Sequence, residues 1–187
     1  MKFPARALLL SLTVLSALAA QDAKPAPAPA AAPKPEAVEP RPVVRSHEVA
    51  IQGKTLKYKS TTGRMPIRNA TGETEAWIFY TAYTLDGVPD AAKRKLVFSF
   101  NGGPGSSSVW LHLGAIGPMR VKLNDDGSLP APPYSLVPNE GSWLDQADLV
   151  FIDPVGTGYS RATKPELAKK FFGLQGDIES VGEFIRM

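Results

Sequence analysis

The 187 residues, 43% apolar and 21% charged, are enough for one domain with a sizeable core and have an ordinary globular composition. The formal charge of +3 drops to +1 when Lys2 and Arg6 are set aside, leaving 19 basic residues against 18 acidic ones, and no run of Lys or Arg is interleaved with aromatics, so a nucleic-acid-binding signature is excluded. With no cysteine, neither a disulfide nor a lipid-modified amino-terminal cysteine can be built.

In chain order, the first segment reads as a processed leader. Lys2 and Arg6 precede the apolar run "ALLLSLTVLSALAA", which is short for a hydrocarbon core and is broken by Ser11, Thr13 and Ser16. Ala17-Leu18-Ala19 supplies the small residues read at a signal-peptidase site, so residues 1–19 are expected to be a signal peptide and the protein to be exported, periplasmic or secreted, with no membrane attachment after cleavage. Residues 20–45, which contain "KPAPAPAAAPKPEAVEPRP", are rich in Pro and Ala; proline removes backbone donors and disfavours helix, so a disordered linker is expected.

The folded part is expected over residues 46–187. "HEVAIQG" and "KTLKYKST" alternate in polarity and are parted by Gly53, as in two strands joined by a tight turn. "EAWIFYTAYTL" is a third strand, "DGVPDAAKRK" a polar loop, and "LVFSF" a short apolar run of the kind found in a buried central strand. "ADLVFID" is a second such run. In "GDIESVGEFIRM", Ile178, Val181, Phe184 and Ile185 share one helical face, with Asp177 as the expected N-cap. The helical pattern reaches Met187 without a glycine or proline stop, and the chain is expected to be incomplete. Buried strands that each finish in a glycine-bearing loop point to an α/β sheet.

Two loops carry the chemistry: "NGGPGSSS" after "LVFSF", and "PVGTGYS" after "ADLVFID". Three explanations compete for the first. A phosphate cradle would need a lysine and hydroxyl at its end, or a third glycine where Ser108 stands, and neither pattern is met. A structural turn around Pro104 would use Gly102, Gly103 and Gly105 for tight geometry alone. An oxyanion hole would use the bare backbone to bring an N–H within about 3 Å of a carbonyl oxygen, at the carboxyl edge of the sheet where ligands bind.

On these two motifs the chain from about Ser46 onward resembles the serine carboxypeptidases of the α/β-hydrolase superfamily, in particular bacterial secreted members. "NGGPGSSS" is similar to that family's signature loop, with Ser106 where cysteine is usual, and "FIDPVGTGYSR" to its second loop. The resemblance implies an α/β-hydrolase fold, of which this chain is the amino-terminal part: a mixed sheet that stops before the nucleophile strand. It implies a serine nucleophile, a histidine and an aspartate acting through an acyl-enzyme on the carboxyl termini of peptides or proteins, with no metal and no cofactor. In that scheme Gly103, with Gly102 beside it, has the oxyanion role, Asn101 binds the substrate carboxylate, and Tyr159 lies in the substrate cleft.

Several residues depart from the family pattern. Ser99 and Ala115 stand where better-known members carry tryptophan and glutamate, and no Gly-x-Ser-x-Gly elbow occurs, so the triad is missing from these residues. Of the two histidines, His47 lies in the first strand and His112 in "VWLHLGAIGP", where packing is the favoured role over general base. Trp110 and Leu111 are expected as core or pocket wall, and Asn69-Ala70-Thr71 matches a glycosylation acceptor by incident. A sheet ending at "ADLVFID" would expose that strand's edge. Two alternatives stay open: a non-catalytic exported peptide-binding protein, and an acyltransferase of the same fold.

Overall fold

The computed structural model describes residues 41–102 and 105–187. The expected signal peptide, most of the expected linker, and Gly103 lie outside the described residues.

The first strand, β1 (Val43–Ile51), begins three residues ahead of the expected boundary and pairs antiparallel with β2 (Lys54–Arg68). Gln52 and Gly53 between them both have positive φ, 50° and 72°, the two-residue turn whose twist matches that of the strands it joins. β2 continues past the expected "KTLKYKST" through Pro66. Proline is tolerated there because β1 pairs β2 only as far as Thr62, so Pro66 faces a partner on one side alone.

β2 returns into β3 (Thr74–Leu85) through a turn organised by Asn69, whose Oδ1 accepts from the Thr71 N–H at 3.0 Å, the Thr71 hydroxyl at 2.7 Å and the Glu73 N–H at 2.9 Å. The Asn69-Ala70-Thr71 triplet thus has a local structural reason: an Asx side chain closing a hairpin.

After β4 (Lys95–Ser99) come a short helix α1 (Val109–Leu111), a π-wound continuation (His112–Ile116), a small hairpin of β5 (Met119–Val121) and β6 (Leu136–Pro138), and then β7 (Ala147–Ile152). A two-residue strand β8 (Arg161–Ala162), a 3-10 segment (Pro165–Phe171) and α2 (Leu174–Arg186) follow. The strand order is β1-β2-β3-β7-β4, with β8 beside β3.

This order corrects two expectations. β7 lies between β3, antiparallel, and β4, parallel, so its edges are both paired, and the open edge belongs to β4. Among the described residues "LVFSF" borders the sheet, with Leu96 54% exposed, while β7 is paired on both sides and buried. Both runs are short and apolar, and composition does not distinguish a centre from a border; the crossover that inserts β7 does.

Alternate residues of β7 supply the two faces of the sheet. Val150 and Ile152 pack with Ala76, Ile78, Val181 and Phe184, whereas Leu149 and Phe151 pack with Val49, Tyr58 and Leu144. α2 covers the first face, but not as expected. It begins at Leu174, three residues before Asp177, which lies inside the first turn rather than capping it. Val181 and Phe184 are buried, yet Ile178 and Ile185 are exposed, because the helix turns the Ser180-Val181-Phe184 side to the sheet. Gly176 sets that approach: a Cβ there would stand 1.9 Å from the Lys170 carbonyl oxygen.

On the other face, His112 stacks on Phe151 with centroids 4.5 Å apart, and its Nε2 is 2.6 Å from the Tyr83 hydroxyl. Burial holds its imidazole well below the usual histidine range, at about 4, against an opposing pull from the Asp153 charge. A folded-state value below the unfolded one means that stability is complete above pH 6.5 and lost as pH falls from 6.5 toward 4. The loss amounts to about 3 kcal/mol over the full window. Urea midpoints measured from pH 7.5 to 4 are expected to fall further for the wild type than for His112→Gln, whose neutral amide does not titrate.

Candidate active site

The site is made by the parallel pairing of β4 with β7. Ser99 lies opposite Phe151, so the chain leaves both strands at the same edge, and the segments that begin at Asn101 and at Asp153 emerge side by side. Two neighbouring parallel strands with adjacent carboxyl-end loops form the kind of crevice where α/β sheets bind ligands. A cleft of about 750 Å³ lies there, with Asn101, Gly102, Gly105 and Ser106 on one side and Pro154 to Thr157 on the other. Phe172 and Leu174, 64% and 81% exposed, extend its wall toward Asp177.

Asn101 Oδ1 accepts the Leu111 N–H at 3.4 Å, which turns the carboxamide by its oxygen and leaves the Nδ2 donors without a partner among the described residues. Gly102 has open space where a side chain would stand: among the described residues a Cβ built there meets nothing within 4 Å, and its φ is not in the left-handed region. Packing therefore does not demand glycine at 102. Gly105 differs, because its φ of +89° favours glycine for conformational reasons. The structural-turn explanation thus accounts for Gly105 but not for Gly102.

Tyr159 is 73% exposed, its ring 5.1 Å from that of Phe79, and it is not among the residues lining the cleft. Trp110, 70% exposed, is not core either. Ser106 lines the cleft. Neither histidine is placed for catalysis: His47 Nε2 is 2.8 Å from the Ser60 hydroxyl at the far end of the sheet, and His112 is held by Tyr83 and Phe151. The nearest approach to a nucleophile elbow, Gly158-Tyr159-Ser160, is structural. Ser160 is fully buried, donating to the Asp153 carbonyl at 2.6 Å and accepting the Phe79 N–H at 2.7 Å.

One residue of the site escaped the sequence reading. Asp153 ends β7 and is buried, with both carboxylate oxygens accepting from the two loops. Its only sequence signal is an acid closing an apolar strand directly before a glycine loop. At Ala115 the contact is through the backbone: Asn139, buried, donates to the carbonyls of Ala115 at 2.7 Å and Gly117 at 2.8 Å, holding the π-wound turn in place. Ser99 keeps a buried hydroxyl without a partner among the described residues.

Comparison with known proteins agrees with this layout. A family model described as serine carboxypeptidase matches residues 51–172. Pheromone-processing carboxypeptidase KEX1 of Saccharomyces cerevisiae is 38% identical over 103 residues, covering 52% of this chain and 13% of that protein. The KEX1 protein of Pyricularia oryzae is 48% identical over 71 residues, 37% of this chain and 10% of that protein. The solved structure of Kex1(delta)p, a prohormone-processing carboxypeptidase from Saccharomyces cerevisiae, superposes with a TM-score of 0.51 at 31% identity, covering 68% of this chain and 27% of that one. The chain thus matches between a tenth and about a quarter of these relatives' lengths. The mixed sheet is of the α/β-hydrolase type expected. Because the family match runs from the end of β1 through both loops to the foot of α2, the chain belongs to the serine carboxypeptidase family.

Proposed function

We propose that this chain carries the carboxylate-recognition and oxyanion part of an exported serine carboxypeptidase, which removes residues from the carboxyl termini of peptides or proteins through an acyl-enzyme without metal or cofactor. One observation carries the reading: Asn101, with free amide donors, and Gly102, bare without a packing reason, line one cleft at the carboxyl edge of two parallel strands. The Asn101 Nδ2 donates to the substrate carboxylate. Backbone N–H groups at Gly102 and Gly103 meet the carbonyl oxygen as it gains negative charge. Tyr159, exposed in the second loop but outside the lining of the cleft, meets the substrate in this reading only beyond the cleft itself. The relatives' names support the reaction type.

Nucleophile, acid and histidine come from outside these 187 residues, which hold no Gly-x-Ser-x-Gly. This chain by itself is expected to show no serine-reagent-sensitive peptide hydrolysis. The finer reading, a bacterial secreted or periplasmic member, rests on the leader and the thiol-free composition; the relatives compared are fungal.

The test uses the protein as its host exports it, with an N-acyl dipeptide and its carboxyl-terminal amide as paired substrates. Release of the last residue from the free acid in strong preference to the amide is expected. Binding of the free acid without turnover would make this a peptide-binding protein, and transfer to an added alcohol in place of water an acyltransferase. Either would overturn the proposal.

A further inference from the structure

The Asp153 carboxylate joins the two loops of the site. Its Oδ1 accepts both the N–H and the hydroxyl of Ser108, each at 2.9 Å, and its Oδ2 accepts the Tyr159 N–H at 3.3 Å. Ser108 ends the glycine loop, and Tyr159 lies in the loop after β7. One buried carboxylate, 5% exposed, thus holds a donor from each loop, and hydrogen bonds to a charged acceptor are the stronger kind.

The neighbouring glycine shows how closely the loops are drawn together. A Cβ on Gly158 would stand 1.8 Å from Asp153 Oδ2 and 3.1 Å from the Ser107 Cβ, so any side chain at 158 would push the carboxylate away and separate the loops. Ser160 fixes the same turn to β3 by bridging the Asp153 carbonyl and the Phe79 N–H. The strand end, the second loop and the far end of the glycine loop are therefore tied together by these hydrogen bonds. The near end of that loop is Asn101 and Gly102.

We infer that Asp153 is a positioning residue for the reaction proposed above: by clamping Ser108 against the second loop it sets where the backbone of the glycine loop stands in the cleft. The inference rests on the carboxypeptidase reading, since only there does loop placement enter the chemistry. In Asp153→Asn the carboxamide oxygen still accepts from Ser108, but its NH2 faces the Tyr159 N–H, donor against donor, so the second loop is released. Displacing a pre-aligned donor raises the barrier without weakening ground-state binding to the same degree. Ser108→Ala removes one of the three donors and keeps the backbone bond.

The exported protein carrying Asp153→Asn is expected to lose tenfold or more in kcat per titrated active site with KM within twofold of wild type, and Ser108→Ala about threefold in kcat. In the same exported protein, hydrogen exchange at the Tyr159 amide is expected to speed up tenfold or more in Asp153→Asn. Unchanged kcat per titrated site, with only the fraction of active protein reduced, would mean a purely structural role and overturn the inference. So would a loss confined to KM. If Asp153→Asn fails to fold, Ser108→Ala decides, and an unchanged kcat there is fatal. If the wild-type protein releases no carboxyl-terminal residue, the carboxypeptidase reading fails by itself. The clamp is then judged on Tyr159 exchange alone: acceleration supports it, and no change overturns it.

Discussion

In the exported protein, under the carboxypeptidase reading proposed above, Gly102→Ala is expected to leave the fold intact and to remove most of the peptide hydrolysis. The backbone at 102 is open to an L-residue, and the added methyl group meets no atom within 4 Å. Replacing glycine at such a position restricts the unfolded chain and stabilises the fold by about 0.4–1 kcal/mol. In the cleft the proposed oxyanion role gives the opposite consequence: Gly102 lines the cleft, and in that role a carbonyl oxygen has to reach backbone donors past it. Loss of one such donor costs on the order of 10²–10³ in rate, and obstructing it is expected to cost about 10² in kcat/KM. Thermal unfolding and carboxypeptidase kinetics on the same preparation separate the two effects. Full activity in Gly102→Ala would return this glycine to an ordinary turn residue, and the oxyanion assignment would have to move.

The second large effect lies away from the cleft. Arg94 is nearly buried and donates from Nε to Asp148 Oδ1 at 2.7 Å, with further donation to the carbonyls of Leu144 and Asp145. The same carboxylate oxygen accepts the Leu85 N–H at 3.0 Å, so β3, β4 and β7 meet on one charge. Arg94→Met leaves Asp148 charged, mostly buried and without its cation, which costs about 3–5 kcal/mol. A urea midpoint series is expected to show this loss. Asp148→Asn in the Arg94→Met background is expected to recover part of it, since a neutral amide still accepts from Leu85 without a buried charge. No recovery would mean that the loss comes from the carbonyls of Leu144 and Asp145 rather than from the carboxylate.

Both loops were legible because their information is local. Glycines within a few residues of an apolar run announce a backbone that must bend or lie bare, and alternation along "HEVAIQG" and "EAWIFYTAYTL" announces strands whose faces differ. The short strands β5, β6 and β8 gave no signal, since two or three residues hold no period. Helix α2 was visible as a helix, but its docking face was not. Ile178 and Ile185 fit the apolar stripe as well as Val181 and Phe184 do, and the choice depended on the Gly176 contact with the preceding turn. The misplaced open edge has the same origin, because two short apolar strands look alike until a crossover places one between neighbours.

The sequence by itself determined the longer strands β1, β2, β3, β4 and β7, the two glycine loops and, through their resemblance, the family. The tertiary structure alone decided that β7 lies inside β4, that the two loops therefore share one cleft, and that Asp153 and Ser108, 45 residues apart, hold them together. The physical reason is reach. Periodicity and turn chemistry report on neighbours along the chain, whereas strand order and buried hydrogen-bond partners are set by packing across it, where each donor takes the acceptor that folding brings near.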